Sequence, residues 1–163
     1  MAVNQLVSSV HLARVVPRYN YLVSDETFRL AQRSETQAVR AFFARYLTRD
    51  NDAVPNPEFF CPDGIQAAIG RGQMMLACDG EGKIRAAARF YRKRCGEVSL
   101  YQFAVASEAR GVGLARRLFA AICAGSPMTA LCPAASSFNQ YFAAAGWKPE
   151  PVDEILIRWR MDW

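Results

Sequence analysis

The chain has 163 residues, 52% hydrophobic and 21% charged, a balance that suits one compact domain with a full core and excludes wholesale disorder. Its 20 Lys and Arg against 15 Asp and Glu leave a net charge of +5, which favours an anionic partner (a polyanionic cofactor, an acidic protein or a nucleic acid) or describes no more than a solvated basic surface. No apolar run approaches the roughly 20 residues that cross a bilayer. Residues 1–10 lack the basic start of a secretory leader. Five cysteines without a Cys-x-x-Cys pair, beside a single histidine, leave little for a zinc site; no metal is expected, and reduced thiols in a cytoplasmic setting are.

Residues 1–26 form an arm of unassigned role, and 27–163 read as the domain. Thr27–Gln32 is a short strand. Ser34 is placed to cap a helix, with Gln37 completing a capping box. The helix carries Val39, Phe42, Phe43 and Leu47 on one face and Arg40, Arg45 and Arg49 on the other. Asn51–Pro62 is a proline-punctuated loop. Asp63–Ile69 is a short helix ended by Gly70 and Gly72. Three strands follow: Gln73–Cys78, Ile84–Arg92 and Val98–Val105. The turns Asp79–Gly82 and Cys95-Gly96 make them an antiparallel meander. Gly113–Ala124 is a helix with Leu114, Leu118, Phe119 and Ile122 inward. Met128–Cys132 is a strand, Ser137–Ala145 a helix closed by Gly146, and Ile155–Trp163 a terminal strand. The order predicts an α/β fold: a mixed central sheet with helices on both faces.

The segment Arg110-Gly111-Val112-Gly113-Leu114-Ala115 directly follows the strongest strand and opens a helix. Two glycines remove side chains where the backbone turns tightly. The amides of a first helical turn have no intrahelical partner, and the helix dipole favours an anion there. Arg110, Arg116 and Arg117 add charge. The segment serves either as a plain strand-to-helix turn or as a phosphate cradle. A nucleotide P-loop would need a Gly-Lys-Ser/Thr ending, and the dinucleotide pattern a glycine where Arg116 stands.

Phe103-Ala104-Val105, four residues, then Arg110-x-x-Gly113-x-Ala115 resembles the acyl-CoA signature R/Q-x-x-G-x-G/A of the GNAT superfamily of N-acetyltransferases. The strand, helix and Gly146-Trp147 that follow are similar to that family's C-terminal half, so the resemblance covers about residues 27–163. It implies a GNAT-like fold and acetyl-CoA as cofactor. Phe103, Ala104 and Val105 would lie against the pantetheine arm, and the amides from Arg110 through Gly111, Val112, Gly113, Leu114 and Ala115 would hold the pyrophosphate. Arg116 would reach a phosphate. The thioester would lie where the fourth and fifth strands part, near Val105 and Leu131, its carbonyl polarised by a backbone amide.

The chemistry needs a base for the amine and an acid for the departing thiolate. Glu97, the carboxylate nearest in sequence to the fourth strand, is the candidate base, or a solvated turn charge. The family often has a tyrosine four residues before the glycine of its Gly-aromatic pair; here that position is Phe142, and Tyr141 stands about 100° around the helix. The family's frequent asparagine is Ala135, beside Ser136 and Ser137. Tyr141 is the candidate acid.

For the acceptor, Arg85, Arg89 and Lys93 alternate onto one strand face. The face is either a solvated edge device or a guide for an acidic acceptor such as a protein surface or charged tRNA. Phe59, Phe60, Tyr91 and Tyr101 are candidates for an acceptor pocket. The expected activity is transfer of an acetyl group to an amine of a protein, small molecule or charged tRNA; the alternative is a degenerate member kept as a structural or protein-binding module. Nucleic acid is a conceivable partner with no recognition motif behind it. No membrane partner is expected, and an oligomer is possible.

Overall fold

The computed structural model describes residues 25–47 and 57–163. Alternation in the sequence becomes alternation in space: the fourth strand reads buried, half-buried, buried along its whole length. The strands are β1 (Thr27–Leu30), β2 (Met74–Cys78), β3 (Ile84–Arg92), β4 (Val98–Val105), β5 (Met128–Pro133), β6 (Lys148–Pro151) and β7 (Leu156–Met161). They form one seven-stranded sheet in the order β1-β2-β3-β4-β5-β7-β6. Every neighbouring pair is antiparallel except β4 and β5, which are parallel.

The helices are α1 (Thr36–Tyr46), α2 (Pro62–Gly70), α3 (Leu114–Cys123) and α4 (Phe138–Ala144). They cover both faces, as adjacent residues of β4 show. The Phe103 ring meets Phe119 of α3 at 5.1 Å between centroids. Gln102, pointing to the opposite face, donates to the Phe59 carbonyl at 3.0 Å. Coverage on both sides explains the unbroken burial of Ala86–Phe90 in the central β3.

Three expectations need correction. Lys148–Pro151, which the expected element order leaves out, is a strand with prolines at Pro149 and Pro151. They are tolerated because β6 is an edge strand, where a missing N–H costs no ladder bond on the open side. The first helix is entered through a 3-10 turn, Arg33–Glu35, and not through a Ser34 cap. Glu35 accepts from the Gln32 amide at 2.8 Å and from both Arg29 terminal nitrogens at 2.7 Å. A bidentate guanidinium–carboxylate pair outcompetes a hydroxyl cap.

The basic face on β3 is the third correction. Arg89 is buried at 7% exposure, Arg85 lies 3.6 Å from Asp79 and Lys93 pairs with Glu97. The strand is central, and the start of α2 stands over Arg89, where a Cβ built on Gly64 would lie 3.6 Å from its guanidinium. Residues 1–24 of the expected arm lie outside the described residues, as do 48–56. Glu26, assigned to the arm, instead holds Arg117 of α3 at 2.7 Å. No helix among the described residues is long and apolar enough to cross a membrane.

Candidate active site

The site begins where β4 and β5 part. They pair over only three positions, Val98–Leu100 with Met128–Ala130. Beyond these, β5 bonds to β7 alone and β4 to β3 alone. The split therefore starts about five residues earlier along β4 than the expected Val105, while Leu131 is where it was placed. A bulge accompanies it: Phe90 faces Leu100 and Arg89 faces Gln102, leaving Tyr101 as the extra residue. The half of β4 that carries Phe103, Ala104 and Val105 thus keeps one unpaired backbone edge, which an extended ligand could complete.

That edge forms one wall of a cleft of about 560 Å³. The opposite end is the Arg110–Ala115 loop. Gly111 and Gly113 have φ of 77° and 74°, the left-handed region where a side chain is strained. A Cβ built on either would meet nothing within 4 Å, so the space in front of the loop is open. Among the described residues no acceptor takes the amides of Gly111 through Arg116. Gly113 is the N-cap of α3, so the amides of Gly113, Leu114, Ala115 and Arg116 are the four orphan donors of its first turn, and those of Gly111 and Val112 precede them in the loop. Arg110 turns its Nε back to the Val105 carbonyl at 3.1 Å, closing the strand end.

Of the residues expected to hold the cofactor, Phe103, Ala104, Val105, Arg110, Gly111, Gly113, Leu114, Ala115 and Arg116 all line this cleft. Val112 does not; its side chain is 63% exposed and only its amide faces the loop's task. Glu108 is exposed and lies 3.5 Å from Lys83, so its charge is turned to a lysine.

α4 supplies the third wall. Tyr141 lines the cleft, with its ring 5.4 Å from Phe103. Burial raises its hydroxyl to about 12, so it stays protonated at neutral pH. Phe142 packs between Trp147 at 4.9 Å and Trp159 at 5.7 Å. The aromatic at that position belongs to the core, and its neighbour carries the hydroxyl into the cleft. Asn139 fixes the helix. Its amide nitrogen lies 2.9, 3.0 and 2.8 Å from the carbonyls of Pro133, Ala134 and Ser136. Its oxygen accepts from the Trp159 indole at 2.8 Å. The sequence reading missed Asn139; its signal was an asparagine in the first turn of a short helix after a Pro-Ala-Ala-Ser-Ser loop.

Glu97 is not brought to the site. It sits at the start of β4, eight residues before Val105, roughly 25 Å along an extended strand. It lines neither cleft. Its carboxylate is engaged by Lys93, by the Thr129 hydroxyl at 3.1 Å and by Arg160 at 3.1 Å. Lys93 is the largest cause holding its pKa below the usual carboxylate range, which weakens it as a base. Nearness in sequence to β4 was a poor guide because the strand is long and the cleft lies along its other end.

A prediction follows from this placement. Glu97→Gln lowers stability by about 1–3 kcal/mol, since two buried-side donors lose a charged acceptor, and leaves acetyl-CoA affinity unchanged. The depressed folded-state pKa means that Glu97 stabilises the fold above its unfolded pKa and loses this contribution as pH falls through the folded value. Denaturant melts of wild type and variant should therefore converge in acid. Equal stability at neutral pH, or a loss of turnover alone, would contradict the structural role.

A second cleft, of about 260 Å³, adjoins the first through Leu47, Phe103 and Phe138, which line both. Phe59 and Tyr101, expected at an acceptor pocket, line it, as do Gln102, Leu131 and Phe142. Tyr91 stands behind it, its ring 5.5 Å from Tyr101. Phe60 packs against the core instead.

No protein-family pattern and no curated protein matches the chain by sequence. Solved structures do match. A GNAT-family acetyltransferase from Listeria monocytogenes superposes with a TM-score of 0.67 at 10% identity, over 85% of this chain and 95% of that one. The PaiA N-acetyltransferase of Thermoplasma acidophilum, solved with coenzyme A, gives 0.69 at 9% identity, over 85% and 99%. YncA of Salmonella typhimurium, solved with acetyl-CoA as its cofactor, gives 0.60 at 16% identity, over 85% and 94%. At these identities the likeness speaks for architecture. The split between parallel β4 and β5, the loop that enters α3 and the length covered on both sides agree: this chain has the GNAT fold.

Proposed function

We propose that the chain is an acetyl-CoA-dependent N-acetyltransferase. One observation carries the reading: six consecutive orphan amides, Gly111 through Arg116, end a cleft whose side wall is the unpaired edge of β4. The amides suit a pyrophosphate, with Arg116 adding charge at the rim. The free strand edge suits an extended amide-bearing arm such as pantetheine. The residues present fit the donor, whose thioester supplies an activated acyl group.

The protein's part in the chemistry is orientation and proton management. A backbone amide of β4 polarises the thioester carbonyl. The amine nitrogen bonds to the carbonyl carbon, the carbon–sulfur bond breaks, the nitrogen loses a proton to water, and the thiolate gains one from a protein hydroxyl that water reprotonates. Tyr141, protonated and half-buried in the cleft, is the group that donates to the thiolate. The second cleft, meeting the first at Phe103 and Phe138, is the approach for the amine. A non-catalytic module is the competing reading, supported by Phe142 in the family's tyrosine position; the hydroxyl of Tyr141 in the cleft weighs for turnover.

Calorimetric titration of the full chain with acetyl-CoA and CoA tests the reading. Binding is expected, and Arg116→Ala weakens it by about 0.5–2 kcal/mol, the worth of one partly exposed charge-assisted contact. No heat of binding from either ligand would remove the proposal. Binding without turnover of any amine would favour the module.

A further inference from the structure

Resting on that reading, the second cleft states what kind of amine it takes. Among the described residues, no charged side chain lines it. Its lining is largely aromatic and aliphatic, including Phe59, Tyr101, Phe138, Phe142, Leu100 and Leu131. Its volume of about 260 Å³ is just under the roughly 300–1,000 Å³ of drug-sized ligand sites, which excludes a bulky polyanion from its interior. Arg85 and Lys93 pair with Asp79 and Glu97, and Arg89 stands behind the wall against the Tyr101 ring, so among the described residues no cation of the β3 face lines the cleft.

One polar atom in this wall is unmatched. Gln102 is 4% exposed, and its Oε1 is buried without a hydrogen-bond partner. The assignment of oxygen and nitrogen is not arbitrary, because only the NH2 end can donate to the Phe59 carbonyl at 3.0 Å. A buried acceptor without a donor costs free energy until a ligand N–H completes it. The ionisable groups around Tyr101 point the same way. The Arg89 guanidinium lies 4.6 Å from the Tyr101 ring centroid, and Glu58 takes the Tyr101 hydroxyl. A cation behind the wall, and a carboxylate already engaged, disfavour an ammonium and favour the neutral amine that the reaction needs.

We propose that the acceptor is a small primary amine with an aromatic or branched aliphatic body, bound as the free base in the second cleft, with Gln102 Oε1 accepting one of its N–H bonds. The body replaces water against the rings, and the lone pair is left to face the thioester at the junction with the first cleft.

The test uses the full chain saturated with CoA, or with acetyl-CoA for turnover. The probes are 2-phenylethylamine, L-glutamate and an acidic lysine-containing peptide. Calorimetry should show 2-phenylethylamine binding, and its kcat/KM should exceed those of the two anionic amines at least tenfold. Leu131→Trp fills the cleft from a position that is 59% exposed, so folding is preserved. It should raise KM for 2-phenylethylamine tenfold or more. Gln102→Leu should raise the same KM about tenfold, the loss of one hydrogen bond. Preference for glutamate or the peptide, or indifference to Leu131→Trp, overturns the proposal and leaves the donor reading standing. An unchanged KM in Gln102→Leu overturns the amide contact. Failure of acetyl-CoA itself to bind overturns both readings.

Discussion

Gly113→Glu should abolish measurable acetyl-CoA binding. Gly113 is the N-cap of α3 at φ 74°, in the left-handed region. Any side chain there is strained by roughly 1–2 kcal/mol. The space beyond is open, with no atom within 4 Å of a built Cβ, so the fold itself has room for the substitution. The carboxylate, however, would stand in front of the orphan amides and take the place of the pyrophosphate. A loss of roughly 100-fold or more corresponds to about 2.7 kcal/mol, within reach of lost charge-assisted bonds plus like-charge repulsion. Gly113→Ala separates the two causes: it carries the strain without the charge, and should lower the melting temperature while retaining most of the affinity. Calorimetry on both variants decides it. Undiminished affinity in Gly113→Glu would mean that the loop is only a strand-to-helix turn.

Tyr141→Phe should lower kcat by about 10²–10³-fold, the range typical of a lost general acid, with acetyl-CoA affinity nearly unchanged. Among the described residues the hydroxyl has no hydrogen-bond partner, so its removal strands none of them. Because burial lifts its pKa to about 12, the proton-bearing form persists beyond pH 10, where an ordinary tyrosine ionises. The rate of the wild type should therefore show no basic limb from this group at or below pH 10. Phe142→Tyr should not substitute for it. That ring is 4% exposed between Trp147 and Trp159, and an unpaired hydroxyl there costs about 1–3 kcal/mol of stability. Full activity in Tyr141→Phe, or activity gained in Phe142→Tyr, would return the acid to the position the family pattern names.

The alternation of Val98–Val105, the glycine pair before Leu114 and the turns at Asp79–Gly82 and Cys95-Gly96 rest on local rules, and those rules determined the meander, the loop and the helix that leaves it. Backbone freedom at glycine and orphan amides at a helix start are properties of a few consecutive residues, so the donor end of the site was legible without coordinates. What depends on distant residues was not. Whether Arg89 is a surface charge or a buried one depends on Gly64 of α2 and the Tyr101 ring of β4 closing around its guanidinium, which no alternation in β3 records. Whether Glu97 is a base depends on which end of β4 opens, and three long-range pairs with β5 decide that. Whether Tyr141 or Phe142 faces the cleft is a rotation of one residue around α4, set by Asn139 bonding the preceding loop and by two tryptophans claiming Phe142. The second cleft exists only because two strands adjacent in the sheet part after Leu100, and a gap between strands is a tertiary fact written in neither of them.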